Sequence, residues 1–240
     1  MNPAFFCPFP TPDNYYKMSD QTTRTNLALG FIRTAYKDYI AARVLLNKGY
    51  TIQGVMFAST AIEKSFKAAI CLFTGEKLHA HMDRFDKIEK AVRKMGYEVL
   101  IEKIDPRFIE ILGKAYKLRY YDDIKETTTI GFFKNQFLGE LDGAMAFFER
   151  LFIFSNEEGK EPALTPLKME LKTGNPDLLE NNWVALKIDK KKFMETDCEG
   201  FAIHILPGNL YQEIYVSSQK MTVPYNDGRM TLINVKGDNE

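Results

Sequence analysis

Residues 52–74, IQGVMFASTAIEKSFKAAICLFT, place Val55, Ala58, Ile62, Ser65, Phe66, Ala69 and Phe73 at three-, four- and seven-residue steps, the period of one buried helix face. The small residues on that face allow a neighbouring helix to approach closely. Upstream, residues 25–48 contain no proline and repeat the period through Leu27, Phe31, Ala35, Ala42 and Leu45. Asp38 interrupts this stripe, so it sits either at the edge in water or inside with a partner, because a buried unpaired carboxylate is costly. Gly49 and Gly75 are plausible stops for the two helices.

Downstream, residues 83–95 form a shorter charged helix with Phe85, Ile88 and Val92 inward. Asp105-Pro106 is a good helix start, since Asp caps free N–H groups and Pro fits the first turn. The helix that follows runs to about Asp122 and buries Phe108, Ile111, Leu112, Ala115 and Leu118. Thr127, Thr128, Thr129 and Gly131 mark a break before a long helix over residues 132–154, lined by Phe133, Phe137, Leu141, Met145, Phe148 and Phe152.

The pattern then changes. Residues 155–166 read as a linker, and period-two alternation predicts strands at Leu167–Lys172, Trp183–Ile188, Phe201–Leu206, Gln212–Ser217 and Met230–Val235. The expected class is α+β: a Pro-rich arm over residues 1–24, an antiparallel four- to five-helix bundle over 25–154, and a small β-rich unit over 167–240.

The 240 residues are 45% apolar and 27% charged, the composition of a folded globular chain. Thirty-two basic and thirty-two acidic side chains cancel, so no global basic excess announces a nucleic-acid partner. The balance conceals nineteen basic against twelve acidic residues in 1–120 and the reverse sign in 121–240. Cys7, Cys71 and Cys198 with His79, His81 and His204 have no metal-ligand spacing, so neither a metal site nor a cofactor is expected. The prolines of the first twelve residues break any signal-peptide core and no stretch is long and apolar enough to span a membrane, which makes the cytoplasm the expected location.

Phosphate loops, nucleophile elbows and HExxH patterns are absent from the sequence. Two clusters remain. Glu63 and Lys67 stand one turn apart in the favourable order, on a helix with little clearly exposed surface, so with Lys64 they either line a groove or form an ordinary ion pair. Residues 116–123, YKLRYYDD, gather one guanidinium, three phenols and two carboxylates. Arg grips phosphate and Tyr stacks on a base; the same residues equally suit an ion pair from Arg119 to Asp122 or Asp123 above core tyrosines.

Residues 35–88, followed by AYKLRYYDD over residues 115–123 and a closing amphipathic helix, resemble the HEPN family of bacterial and archaeal helical-bundle proteins over about residues 25–154. Asp38 with Ala41 and Leu45 is similar to the family's first-helix signature, and Ala61, Glu63, Lys64, Lys67 and Ala68 to its second-helix core. Gly75 and His81, with His79 as a competing match, resemble the loop residues, and Arg119, Tyr120 and Asp122 the ending of the fourth helix. The resemblance implies an up-and-down bundle, a homodimer, nucleotide or RNA binding, and toxin–antitoxin or nucleotidyltransferase-type partners. It implies ligand contacts at Arg119, Tyr120, Lys67, Glu63 and Asp38. Many relatives cleave RNA without metal through an Arg followed four to six residues later by His; here YYDDIKE follows Arg119. A non-catalytic binding module is therefore expected. A ribonuclease using Arg119, Asp122 or His81 in non-standard roles, or a purely structural assembly module, is the alternative.

Overall fold

Two long helices, α1 (Met18–Asn47) and α2 (Thr51–Thr74), form the centre of the computed structural model, which describes residues 18–120, 127–152, 154–155, 162–163, 165–206, 210–221 and 230–232. They run antiparallel: Leu46 meets Gly54, Asp38 meets Lys64, and Arg24 meets Cys71 and Gly75. Gly54 is what lets the backbones close, since a Cβ there would stand 2.6 Å from Leu46 Cγ. The buried stripe of α1 is Ala28, Ile32, Ala35, Tyr36, Tyr39, Ala42 and Leu46, while Leu27 is exposed. The expected stripe is thus rotated by about one residue, because Tyr36 and Tyr39 supply more burial than Leu27 and Leu45.

A 3₁₀ turn, Met82–Arg84, leads into α3 (Phe85–Lys94), then α4 (Val99–Glu102) and α5 (Pro106–Lys117). Asp105 caps α5 by accepting from the Arg107 N–H at 2.8 Å. The helix stops at Lys117 rather than near Asp122, and residues 121–126, with Tyr121, Asp122 and Asp123, lie outside the described residues.

The expected break at residues 127–131 is a strand. β1 (Thr128–Phe133) precedes α6 (Lys134–Leu151), and two short segments, β2 (Phe154–Ser155) and β3 (Pro162–Ala163), pair with each other. Leu167–Lys172, expected as a strand, is inside helix α7 (Pro166–Thr173). Its alternation is accidental: Leu167 faces the core, whereas Met169 and Leu171 face water. Pro166 in the first turn and Gly174 in the left-handed conformation at the end bound the helix.

After α8 (Pro176–Leu179), residues 183–188 form turns rather than the expected strand, and Lys190–Glu195 is helix α9. The remaining strands are β4 (Cys198–Leu206) and β5 (Leu210–Met221), as the alternation predicts but longer. Of the expected strand at Met230–Val235, residues 230–232 are described and make one bridge, Leu232 to Phe132, and residues 233–235 lie outside the described residues. In the same way the arm expected over residues 1–24 is helical from Met18, and residues 1–17 lie outside the described residues.

The class is α+β. The three-stranded antiparallel sheet has order β1-β4-β5, with Thr128 opposite Ile205 and Phe133 opposite Gly200. It joins the segment before residue 154 to the segment after 166, and one apolar cluster holds Phe66, Phe108 and Phe137 together with Phe201, Ile203 and Met230. No helix among the described residues is long and apolar enough to cross a membrane.

Candidate functional site

The polar residues of α2 point two ways. On one side Lys64 Nζ donates to Asp38 Oδ2 at 2.6 Å, tying α2 to α1. On the other, Glu63 is buried and Lys67 Nζ donates to its Oε1 at 2.7 Å. His81 Nδ1 lies 3.0 Å from the same oxygen, and the Met82 N–H donates to Oε2 at 3.2 Å. Every oxygen of Glu63 is thus engaged by its own chain. An ionised carboxylate only accepts, so Nδ1 carries the proton and Nε2 of His81 is left for the surroundings. The His81 side chain is 48% exposed.

His81 lies flat on the Tyr116 ring, with centroids 4.9 Å apart and planes at 20°. Tyr116 also carries the Arg119 guanidinium, whose Cζ is 5.1 Å from the ring centre, a cation–π distance. Tyr120 lies tilted against Tyr116 at 5.8 Å and is 53% exposed. Burial, then the hydrogen bond and proximity of Tyr120, push the Tyr116 phenol well above its ordinary value, so that it stays protonated. Arg119 spends one nitrogen on α2, where Nη2 donates to the Met56 carbonyl at 2.9 Å. Met56 precedes Glu63 by two turns, about 10 Å along the helix.

The structure therefore joins Lys67, Glu63, His81, Tyr116, Arg119 and Tyr120 in one run of contacts. Arg119 meets the Glu63–Lys67 pair through two stacked rings and forms no ion pair with it. Asp38 does not join them: in the α1–α2 hairpin its level on α1 faces Lys64. Asp122 lies outside the described residues. His79, the competing loop histidine, is exposed and makes no part of this run. Among the described residues no group of three His, Cys, Asp or Glu side chains is placed to hold a metal ion.

Sequence reasoning missed a second polar cluster. Arg43 and Asp142 are fully buried and paired, and Arg43 also donates to the Glu180 carbonyl. Tyr39 donates to Asp142 Oδ1 at 2.7 Å, and Asn182 Nδ2 donates to the Tyr39 hydroxyl at 3.0 Å. Burial pushes the Asp142 carboxyl up, while Arg43 and the Tyr39 hydrogen bond pull it back. The available signal was one cation and one anion of opposite sign, each inside an otherwise apolar helix face.

Comparison with protein-family models, with curated proteins and with solved structures gives no match.

Proposed function

We propose that this chain is a HEPN-like helical module of four to five helices that binds a nucleotide or single-stranded RNA without cleaving it. The observation that carries the reading is the partly buried Arg119 laid over Tyr116, the ring against which the exposed Tyr120 and His81 also pack. Such a surface offers a guanidinium for phosphate and π faces for bases. Glu63 and Lys67 neutralise each other and orient His81, so their role is positioning. Asp38 ties α1 to α2. The proposal extends to a homodimer working with a nucleotidyltransferase-type or toxin–antitoxin partner, as the sequence resemblance implies, and to the cytoplasmic location that the N-terminal prolines and the lack of an apolar span lead one to expect.

End-labelled single-stranded RNA, incubated with the chain at low salt and run on native and denaturing gels, tests this. The expected result is retardation that Arg119→Ala and Tyr120→Ala each reduce, with intact RNA. Stacking and phosphate contacts of this kind contribute about 1–3 kcal/mol each, so each variant weakens binding by roughly 5- to 150-fold. Absence of retardation by the parent chain refutes the reading.

One observation favours a second reading. A carboxylate holding the Nδ1 side of an exposed imidazole is the arrangement that prepares Nε2 for general acid or base work. RNA fragments that vanish with His81→Ala would make the protein a ribonuclease.

A further inference from the structure

Helix α7 is held to the body by little. Leu167 is its one buried side chain, whereas Lys168, Met169, Leu171 and Lys172 face water. The helix that follows is anchored: Leu178 of α8 is fully buried, and Arg43 holds the Glu180 carbonyl just beyond it. Between the two helices stand Gly174, left-handed at φ 74°, and Asn175. Asn175 serves both sides, since its Nδ2 donates to Glu170 Oε2 at 3.0 Å and its Oδ1 accepts from the Asp177 N–H at 3.0 Å.

The first turn of α7 roofs a cavity of about 10 Å³, lined by Ile32 and Tyr36 of α1, Met145, Phe148 and Glu149 of α6, and Leu167. Two polar atoms of its lining are buried without a hydrogen-bond partner among the described residues, the Tyr36 hydroxyl and Glu149 Oε1. The Thr165 hydroxyl, one residue before α7, is a third. Asn175 stands near the Tyr36 hydroxyl but outside hydrogen-bond geometry. Among the described residues few charged or titratable groups face Glu149. From α1 comes Tyr36, whose phenol is pushed up by burial and then by Glu170, so that it stays protonated. From α7 come Glu170, near Tyr36, and Lys168, whose Nζ lies 3.9 Å from Glu149 Oε1, too far for a hydrogen bond. From α2 comes the neutral Ser65, which donates to the Ala61 carbonyl at 2.9 Å.

We propose that α7 is a pH-sensitive lid, seated on α1 and α6 while the Glu149 carboxyl is protonated and lifting about Gly174 and Asn175 when it ionises. A protonated carboxyl is one neutral polar group among apolar neighbours. A carboxylate in the same place demands several waters, and a cavity of this size holds about one. Lifting α7 brings Glu149, Tyr36 and Thr165 to water together and sacrifices little apolar burial beyond Leu167, which makes it a far smaller opening than separating α1, α2 or α6. Burial, opposed by Lys168, raises the carboxyl from 4.5 to about 7. With an ordinary carboxyl in the lifted form, the lid is most firmly closed below about pH 4.5, and the opening equilibrium grows as pH rises from there to about 7. The lid shares no residue with the Arg119 surface.

The test is hydrogen exchange of the full chain, read by mass spectrometry from about pH 5.5 to about pH 8 and divided at each pH by the intrinsic exchange rate. Protection of the α7 amides from Met169 to Gly174 should fall by about tenfold or more across that range, while α2, α6 and α8 keep theirs. Glu149→Gln keeps the shape of the side chain and cannot ionise, so its α7 protection should not change with pH. Leu167→Ala, which loosens the seat of the lid, should lower α7 protection at every pH, retain the parent's pH dependence and leave α6 untouched. Constant α7 protection in the parent, or an equal fall in Glu149→Gln, overturns the proposal. So does a loss of protection in α2 and α6 together with α7, which would make the effect one of global stability rather than of a lid.

Discussion

Replacing Asp142 by Ala should be among the most damaging single changes in this protein. Arg43 and Asp142 both have fully buried side chains, and Asp142 Oδ1 is the acceptor for both Arg43 and Tyr39. With the carboxylate gone, the guanidinium keeps only the Glu180 carbonyl, and the Tyr39 hydroxyl loses its acceptor. Breaking one side of a buried pair costs about 3–5 kcal/mol, because a charge is left uncompensated. With a urea slope near 3 kcal/mol/M, the upper end for small proteins, the midpoint falls by roughly 1–1.7 M. The sole tryptophan, Trp183, is packed on α6 through Gly139 and reports the transition by fluorescence. The double variant Arg43→Met with Asp142→Leu should recover at least half of the loss, since apolar replacement of a buried pair is often near neutral. A single-variant loss below about 1 kcal/mol, or a double variant no more stable than the single, would refute the reasoning.

Two further outcomes are expected. Gly75 ends α2 at φ 71°, a left-handed conformation that strains any side chain, and a Cβ there would also displace the end of the Arg24 side chain, so Gly75→Ala should lower stability by about 1–2 kcal/mol in the same urea titration. Burial, opposed by Lys168, raises the Glu149 carboxyl from 4.5 to about 7. The unfolded chain then ionises first, and stability falls as pH rises through that window, by about 3 kcal/mol at most. Glu149→Gln should remove this slope, making the variant more stable than the parent near pH 8 and closing the gap below about pH 5; equal slopes by calorimetry would exclude the assignment.

How far the sequence carries the fold depends on the length of each element. α2 and α6 repeat their apolar spacing over several turns, and the expected inward residues of both are largely buried. Short elements gave no such averaging. In LKMELK, over residues 167–172, three aliphatics at alternate positions imitate a strand, while Pro166 and Gly174, which bound the helix, carried the better information. In residues 127–131 a glycine after three threonines suggests a break, yet Gly131 pairs in register with Ala202 inside the sheet. At the site, helix period brought Glu63 and Lys67 together correctly. No local pattern could show that Arg119 rests on Tyr116 or that Asp38 chooses Lys64, because both contacts are set by how separate helices pack.

The place of β1 also imposes an order on synthesis. Ile130, Phe132 and Phe133 are buried and β1 pairs with β4, yet Cys198 is made about 65 residues after Phe133. At translation rates of about 5–20 residues per second, this strand waits roughly 3–13 s before its partner exists. Throughout that interval the nascent chain carries an aromatic strand with an open edge directly ahead of α6, a template for pairing with another chain. Chaperone demand during production should therefore peak between completion of α6 and emergence of β4, and slowing elongation in that stretch should increase aggregation rather than aid folding.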